Sequence, residues 1–104
     1  MTGAKDFWVY FSKKLISLST SAKDLLDEVL LSCLVDGTYV VEGRASEDER
    51  EPAVLARARA ENVAGYFVQR GVKKIKVSET DSVGNQCIDS RKVIVECLPV
   101  RREM

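Results

Sequence analysis

The chain has 104 residues, a usual length for one domain and too short for two comfortable ones. Hydrophobic residues make up 45% of it and charged residues 31%, which is ordinary for a soluble globule and argues against disorder. Sixteen acidic side chains balance sixteen basic ones, a charge that disfavours nucleic acid and acidic membranes as partners. We therefore expect a single domain over 1–104 with a core at about 8–98, no secretory signal in this stretch and no membrane insertion.

The sequence contains no histidine, which removes the commonest general base and the commonest metal ligand. We therefore predict no enzyme, no metal and no cofactor. Cys33, Cys87 and Cys97 are odd in number and lack CxxC spacing. Two interpretations stay open at this point: buried free thiols, or a short Cys87–Cys97 bridge.

The first half of the chain predicts a strand, a helix and a second strand. "FWVYF" (7–11) is short and aromatic, as a strand is, and "TYVVEG" (38–43) has the same character. Between them, serine and threonine at 19–21 supply N-cap oxygens, and Asp36-Gly37 ends the helix. Its apolar face is predicted from three- and four-residue steps: Ala22, Leu25, Leu26, Val29, Leu30, Cys33 and Leu34.

The second half predicts one more helix and two strands. Pro52 suits the first helical turn, Gly71 a helix stop, and Val63, Tyr66 and Phe67 one buried stripe. "VKKIKV" (72–77) alternates apolar and charged residues, and "RKVIVECLPV" (91–100) is the last strand. The connection between them is long for a compact domain and carries turn residues at Gly84-Asn85. The order β-α-β-α-β-β predicts an α/β sandwich: one mixed four-stranded sheet with both helices on one face.

Four stretches in order resemble the OmpA-like domain, the module that anchors envelope proteins to peptidoglycan. They are "VYFSKKLISLSTSAKDLLDEV", "YVVEGRAS", "LARARAENVAGYFVQRGV" and "SRKVIVE", and together they cover most of Trp8 to Leu98. The third is similar to the family pattern Leu-Ser-x-x-Arg-Ala-x-x-Val-x-x-Tyr-Leu-x-x-x-Gly-Val. The resemblance implies the same mixed sheet with helices on one side.

The resemblance also gives Arg59 a function. In that family the helical arginine before an alanine pairs with a carboxylate of diaminopimelate in the peptidoglycan stem, and here it is Arg59, followed by Ala60. A planar guanidinium can make two parallel charge-assisted bonds to a carboxylate, and small alanines leave room for a ligand. The alternative is a solvated arginine, or one paired with Asp48 or Glu49. Arg57 lies on another side of the helix.

The remaining site residues depart from the family pattern. Ser46 stands where the family has the aspartate that takes the ligand's ammonium, and the loop up to Arg59 is shorter than usual. Acids at 47–51 are close enough in sequence to stand in for that aspartate, whereas Arg44 disfavours an ammonium. Arg91 is expected mainly to hold the loop before the last strand. The candidate ligand-binding residues are Arg59, Ser46, Asp48, Arg44 and Arg91.

Two functions follow from the resemblance. The first is a non-catalytic periplasmic module that binds the peptidoglycan stem peptide noncovalently, with other envelope proteins, such as those of a secretion machine, as further partners. The alternative is an OmpA-like scaffold that has lost wall binding and serves protein–protein assembly in the envelope. The replaced aspartate, the short loop and Pro52 favour the second.

Overall fold

The computed structural model describes residues 5–12, 15–46, 49, 51–78, 83–84 and 91–98. The predicted order of strands and helices is confirmed, and two short strands are added to it. The elements are β1 (Lys5–Tyr10), α1 (Thr20–Cys33), β2 (Thr38–Gly43), β3 (Ala45–Ser46), α2 (Pro52–Gln69), β4 (Lys74–Ser78), β5 (Val83–Gly84) and β6 (Lys92–Leu98). Neither described helix is long and apolar enough to cross a membrane.

The four longer strands form the predicted mixed sheet in the order β1-β6-β2-β4, with β6 and β2 in the middle. β6 runs antiparallel to β1 and to β2, and β4 runs parallel to β2. Alternate side chains of β2 and β6 are buried and form the core with α1 and α2, so both helices cover the same face. The opposite face carries the remaining alternates, among them Trp8, Val40 and Ile94 beside charged residues such as Glu96.

A second, two-stranded parallel sheet pairs β3 with β5. Residues 45–46 were expected to belong to the loop before Arg59, and a pairing of two residues is too short to leave a periodic signal in the sequence. The long connection after β4 lies outside the described residues except for Val83 and Gly84, and Gly84 belongs to β5. The turn predicted at Gly84-Asn85 therefore cannot be compared with the structure.

Helix α1 begins and packs as predicted, but it ends at Cys33, before the predicted stop at Asp36-Gly37. The hydroxyl of Ser19 accepts a hydrogen bond from the backbone N–H of Ala22 at 3.1 Å, which caps the helix. Four of the predicted face residues are buried, namely Ala22, Leu26, Val29 and Cys33. The prediction that Leu34 is buried is wrong: its φ of 61° ends the helix, and the side chain is 56% exposed.

Helix α2 approaches β2 closely enough to require a glycine. A Cβ added at Gly43 would overlap the carbonyl oxygen of Ala56 and lie 3.1 Å from the Cβ of Ala60. Both alanines are buried, at 4% and 1% exposure. Their small size therefore serves the contact between helix and strand, which differs from the space for a ligand that the resemblance implied.

A disulfide joins Cys33 at the end of α1 to Cys97 in β6, with 6.3 Å between the Cα atoms. This bridge overturns both interpretations that the sequence left open. Cys33 and Cys97 are not free thiols, and Cys97 is not bonded to Cys87. Cys87 itself lies outside the described residues. Spacing alone could not reveal the bridge, because the fold brings together two residues 64 positions apart.

We expect the Cys33→Ala/Cys97→Ala double variant to lose about 2–4 kcal/mol of unfolding free energy, because closing so long a loop restricts the unfolded chain. Urea denaturation under oxidising conditions measures the loss, and Cys87→Ser is the matched control. Equal stability of the double variant and the wild type would contradict the bridge.

Tyr39 makes the free energy of unfolding depend on pH in the alkaline range. Its ring is fully buried and its hydroxyl donates to the carbonyl oxygen of Leu34 at 2.7 Å. Burial raises the pKa of Tyr39 above its ordinary value. The unfolded chain therefore loses this proton first as the pH rises. The stabilisation is complete below pH about 10 and is lost as the pH passes through the higher folded value.

We accordingly expect the free energy of unfolding to fall above pH 10, and to fall less steeply in Tyr39→Phe. Urea denaturation between neutral pH and pH 11 measures both slopes. If the two slopes are the same, Tyr39 is not a source of the alkaline sensitivity.

Candidate functional site

Arg59, in the second turn of α2, is the largest fully buried side chain among the described residues, with 0% of its surface exposed. Helix α2 lies close to β2 at Gly43. The Arg59 side chain points inward, toward the chain that follows β2 and the segment that follows β1. A buried guanidinium is costly unless its charge is compensated and its donors are bonded. Its partners therefore define the site.

A second buried charge, Glu49, compensates Arg59. The two guanidinium nitrogens donate to the two carboxylate oxygens, Nη2 to Oε2 at 2.6 Å and Nη1 to Oε1 at 2.9 Å. The side chains of both residues are 0% exposed. This is the parallel two-bond geometry in which arginine binds carboxylates most strongly.

Backbone carbonyls accept the other three N–H groups of Arg59. Nε donates to Leu15 at 2.8 Å, Nη1 to Arg44 at 3.2 Å and Nη2 to Ser12 at 3.2 Å. A guanidinium has five N–H donors, and here each has an acceptor within the chain. The ring of Phe11 covers one face of the group, with 5.3 Å between Cζ and the ring centroid. In this arrangement Arg59 has no donor left for a ligand.

Of the other predicted site residues, Ser46 and Arg91 join the same cluster. The backbone N–H of Ser46 donates to Oε1 of Glu49 at 2.9 Å. The Ser46 hydroxyl, buried at 0% exposure, accepts from Nε of Arg91 at 3.0 Å. Arg44 pairs with Glu42 at 2.7 Å. Asp48 lies outside the described residues.

Arg57 behaves as its place on the helix predicts. Its side chain is 65% exposed and lies 3.5 Å from the carboxylate of Glu61, one turn further along α2. Of the two neighbouring arginines, only Arg59 therefore belongs to the cluster.

An open, polar cleft of about 500 Å³ lies between α1 and α2, and Arg59 does not line it. Its lining includes Lys23, Asn62, Tyr66 and Arg70. The Arg70 guanidinium stacks on the Tyr66 ring, with 3.5 Å from Cζ to the centroid, and also pairs with Asp27 at 3.4 Å. Burial, and next the hydrogen bond to Asp27, raise the pKa of Tyr66. This cleft is therefore separate from the buried cluster.

No group of three or more acidic, cysteine or histidine side chains in the described part of the chain is placed to hold a metal ion. Among the described residues that bond to Arg59, Glu49 supplies the one carboxylate, and both of its oxygens accept bonds from arginine. Its chemistry is that of ion pairing and hydrogen bonding.

Comparisons with known proteins identify the fold of the chain. Neither a protein-family profile nor a curated protein sequence matches the chain. Among solved structures, the OmpA-like domain of FopA1 from Francisella tularensis matches with a TM-score of 0.70 and 17% identity, over 94% of this chain and 75% of the other. The chain has the OmpA-like fold.

Two further structures support the OmpA-like fold. The peptidoglycan-associated lipoprotein from Burkholderia pseudomallei has a TM-score of 0.69 and 18% identity, covering 88% of this chain and 89% of the other. The cell wall anchor of the T6SS from Pseudomonas aeruginosa has a TM-score of 0.67 and 16% identity, covering 93% and 82%. The fold that the four sequence stretches implied is thereby confirmed.

Arg59 lies on helix α2, and its carboxylate partner is Glu49 of the same chain. In the sequence, Glu49 was only an alternative partner for this arginine. The run "EDERE" offered several acids, and only the backbone path decides which of them reaches the guanidinium. The carbonyls of Ser12 and Leu15 left no signal in the sequence at all.

Removing one member of the buried pair should be costly. We expect Arg59→Met or Glu49→Leu to lose about 3–5 kcal/mol of unfolding free energy, because each leaves an uncompensated buried charge. The Arg59→Met/Glu49→Leu double variant should lose much less than the sum. Urea denaturation of the four proteins gives the coupling, and Arg57→Met, at the exposed pair, should change stability little. Additive losses would show that the two charges do not depend on each other.

Proposed function

We propose that this chain is a non-catalytic domain of the bacterial cell envelope that serves protein–protein assembly, and that its own Glu49 takes the place of the ligand carboxylate. One observation carries the proposal: all five N–H donors of Arg59 bond to oxygens of the chain, two of them to Glu49, with the guanidinium fully buried. These contacts support the proposal that Glu49 occupies the position that the family uses for a diaminopimelate carboxylate.

A stem-peptide carboxylate would have to compete with Glu49. A group tethered by a short connection acts at an effective concentration in the millimolar range or above. The competitor would also leave the Glu49 carboxylate without its guanidinium in a buried site, or require the chain around it to open. Weak binding of a small ligand does not supply that free energy.

The family's second ligand contact, the aspartate that takes the ammonium, is weakened independently. Ser46, at the position of the aspartate, offers no charge to an ammonium, and its hydroxyl already accepts a bond from Arg91. Arg44 and Arg91 lie beside it as further cations. A zwitterionic amino-acid head therefore finds neither of its two charges matched by a free group of the cluster.

Three observations support a non-catalytic envelope module. The solved structures of similar fold include a peptidoglycan-associated lipoprotein and a cell wall anchor. The Cys33–Cys97 disulfide suits an oxidising compartment such as the periplasm. The absence of histidine from the whole sequence removes the usual acid–base catalyst.

Peptidoglycan binding through Arg59 is the second candidate. It is favoured by the convergence of Arg59, Ser46 and Arg91 in one cluster, at the place that the resemblance assigned to the ligand site. In that case Glu49 would have to leave the guanidinium when the stem peptide binds.

Co-sedimentation with purified diaminopimelate-type sacculi separates the two candidates. We expect the wild-type chain to stay in the supernatant, because Arg59 has no free donor. Wild type that pellets, together with Arg59→Lys that does not, would establish the second candidate and overturn the first. Circular dichroism of each variant confirms that it is folded.

Acetate provides a matched test of the occupied site. Glu49→Ala should leave a buried guanidinium that accepts a small carboxylate, so acetate should raise its thermal midpoint relative to chloride at equal ionic strength. The wild type should show no such difference. Equal responses of the two proteins would mean that Glu49 does not fill a carboxylate site.

A further inference from the structure

Strand β1 lies at the edge of the sheet, and one row of its backbone groups has no partner strand among the described residues. It stands at the end of the order β1-β6-β2-β4, and β6 is its only partner strand in the described part of the chain. The N–H of Phe11 donates to the carbonyl of Arg91 at 2.8 Å, continuing the antiparallel register in which Val9 faces Val93.

In an antiparallel ladder, hydrogen-bonded pairs alternate with pairs that are not bonded to each other. Residues 7, 9 and 11 therefore direct their N–H and C=O groups toward β6. Asp6, Trp8 and Tyr10 direct theirs away from the sheet. This row of donors and acceptors is complementary to an extended backbone.

Apart from Lys5 and Asp6 at its start, β1 carries no side chain that would protect this edge from another strand. Trp8 is 52% exposed and Tyr10 is 44% exposed, on the sheet face opposite the helices. Edge strands are usually blocked by proline, by a bulge or by charges, and the stretch "FWVYF" at 7–11 contains none of these. The Lys92 ammonium lies 4.4 Å from the centroid of the Trp8 ring, so the ring lies against its own sheet.

The exposed face at this edge is acidic at one end and basic at the other. Asp6 lies directly opposite Glu96, a like-charged cross-strand pair that disfavours the isolated sheet. Tyr10 lies opposite Lys92, with Trp8 and Ile94 between the two ends. A strand of the same kind running antiparallel would place its acidic end at the basic end of the first.

We propose that the β1 edge binds a second copy of this chain, strand to strand and antiparallel. Trp8 then faces Trp8 of the second copy, and Asp6 faces Tyr10. This is the register that pairs all three outward-directed residues with one another, and its two-fold symmetry closes the assembly at two copies. It joins two four-stranded sheets into one of eight strands.

The inference rests on the assembly function proposed above and deepens it by naming a partner. Substitution by proline tests the edge without breaking the fold, because the N–H of Trp8 makes no bond to β6 and its loss leaves the ladder intact. Leu31→Lys, at a 79% exposed apolar residue of α1, is the control for the removal of apolar surface.

Sedimentation equilibrium on the full chain at high micromolar concentration measures the assembly. We expect wild type and Leu31→Lys at twice the monomer mass of 11.6 kDa, and Trp8→Pro at the monomer mass with the circular dichroism of the wild type. A wild-type monomer overturns the proposal, and so does a Trp8→Pro dimer.

Oxidative cross-linking tests the register in a Cys87→Ser background. Residues facing each other in a hydrogen-bonded antiparallel pair have Cα atoms about 5.5 Å apart, within the range of a disulfide. Trp8→Cys should therefore cross-link to itself, whereas Asp6→Cys should do so only when mixed with Tyr10→Cys. Self-linking of Asp6→Cys alone overturns the register.

These results are independent of the sacculus assay. A monomer that stays in the supernatant overturns the pairing and leaves the assembly function in place. A dimer that pellets with sacculi through Arg59 keeps the pairing and overturns that function.

Discussion

The buried ion pair of Arg59 and Glu49 is the constraint on which this end of the molecule depends. The guanidinium bonds to helix α2's neighbours on both sides: the segment after β1, through Ser12 and Leu15, and the chain after β2, through Arg44 and Glu49. Because both charges are fully buried, neither can be lost alone without a large cost. The pair therefore holds together three separate stretches of chain. The close approach of α2 to β2 at Gly43 brings these stretches within reach of Arg59.

In the function proposed above, the same pair lets the domain keep the OmpA-like architecture while Glu49 takes the place of a ligand carboxylate. A carboxylate supplied by the chain satisfies the arginine as a ligand carboxylate would, with the same two parallel bonds. Its attachment makes it permanent, and the polar cluster becomes part of the interior. The surface proposed for a partner is instead the edge of β1, where Trp8 and Tyr10 are exposed and β6 is the one partner strand among the described residues.

The sequence predicted the elements whose periodicity is strong: helix α2 begins at Pro52 and β2 spans Thr38–Gly43, both as expected. Arg59 was singled out only by the resemblance to the OmpA-like family. Side-chain spacing did not predict the Cys33–Cys97 bridge or the choice of Glu49, because both depend on how distant segments meet. It also missed β3 and β5, whose two-residue pairing is too short to leave a periodic signal.

Nuclear magnetic resonance of the Arg59 guanidinium protons tests the central claim most directly. If Glu49 and the three carbonyls hold all five N–H groups, their signals should be resolved, should exchange slowly with water, and should not shift when diaminopimelate stem peptide is added. The exposed guanidinium of Arg57 provides the fast-exchanging reference in the same spectrum. Arg59 protons that exchange as fast as those of Arg57, or that shift on addition of the peptide, would contradict the account.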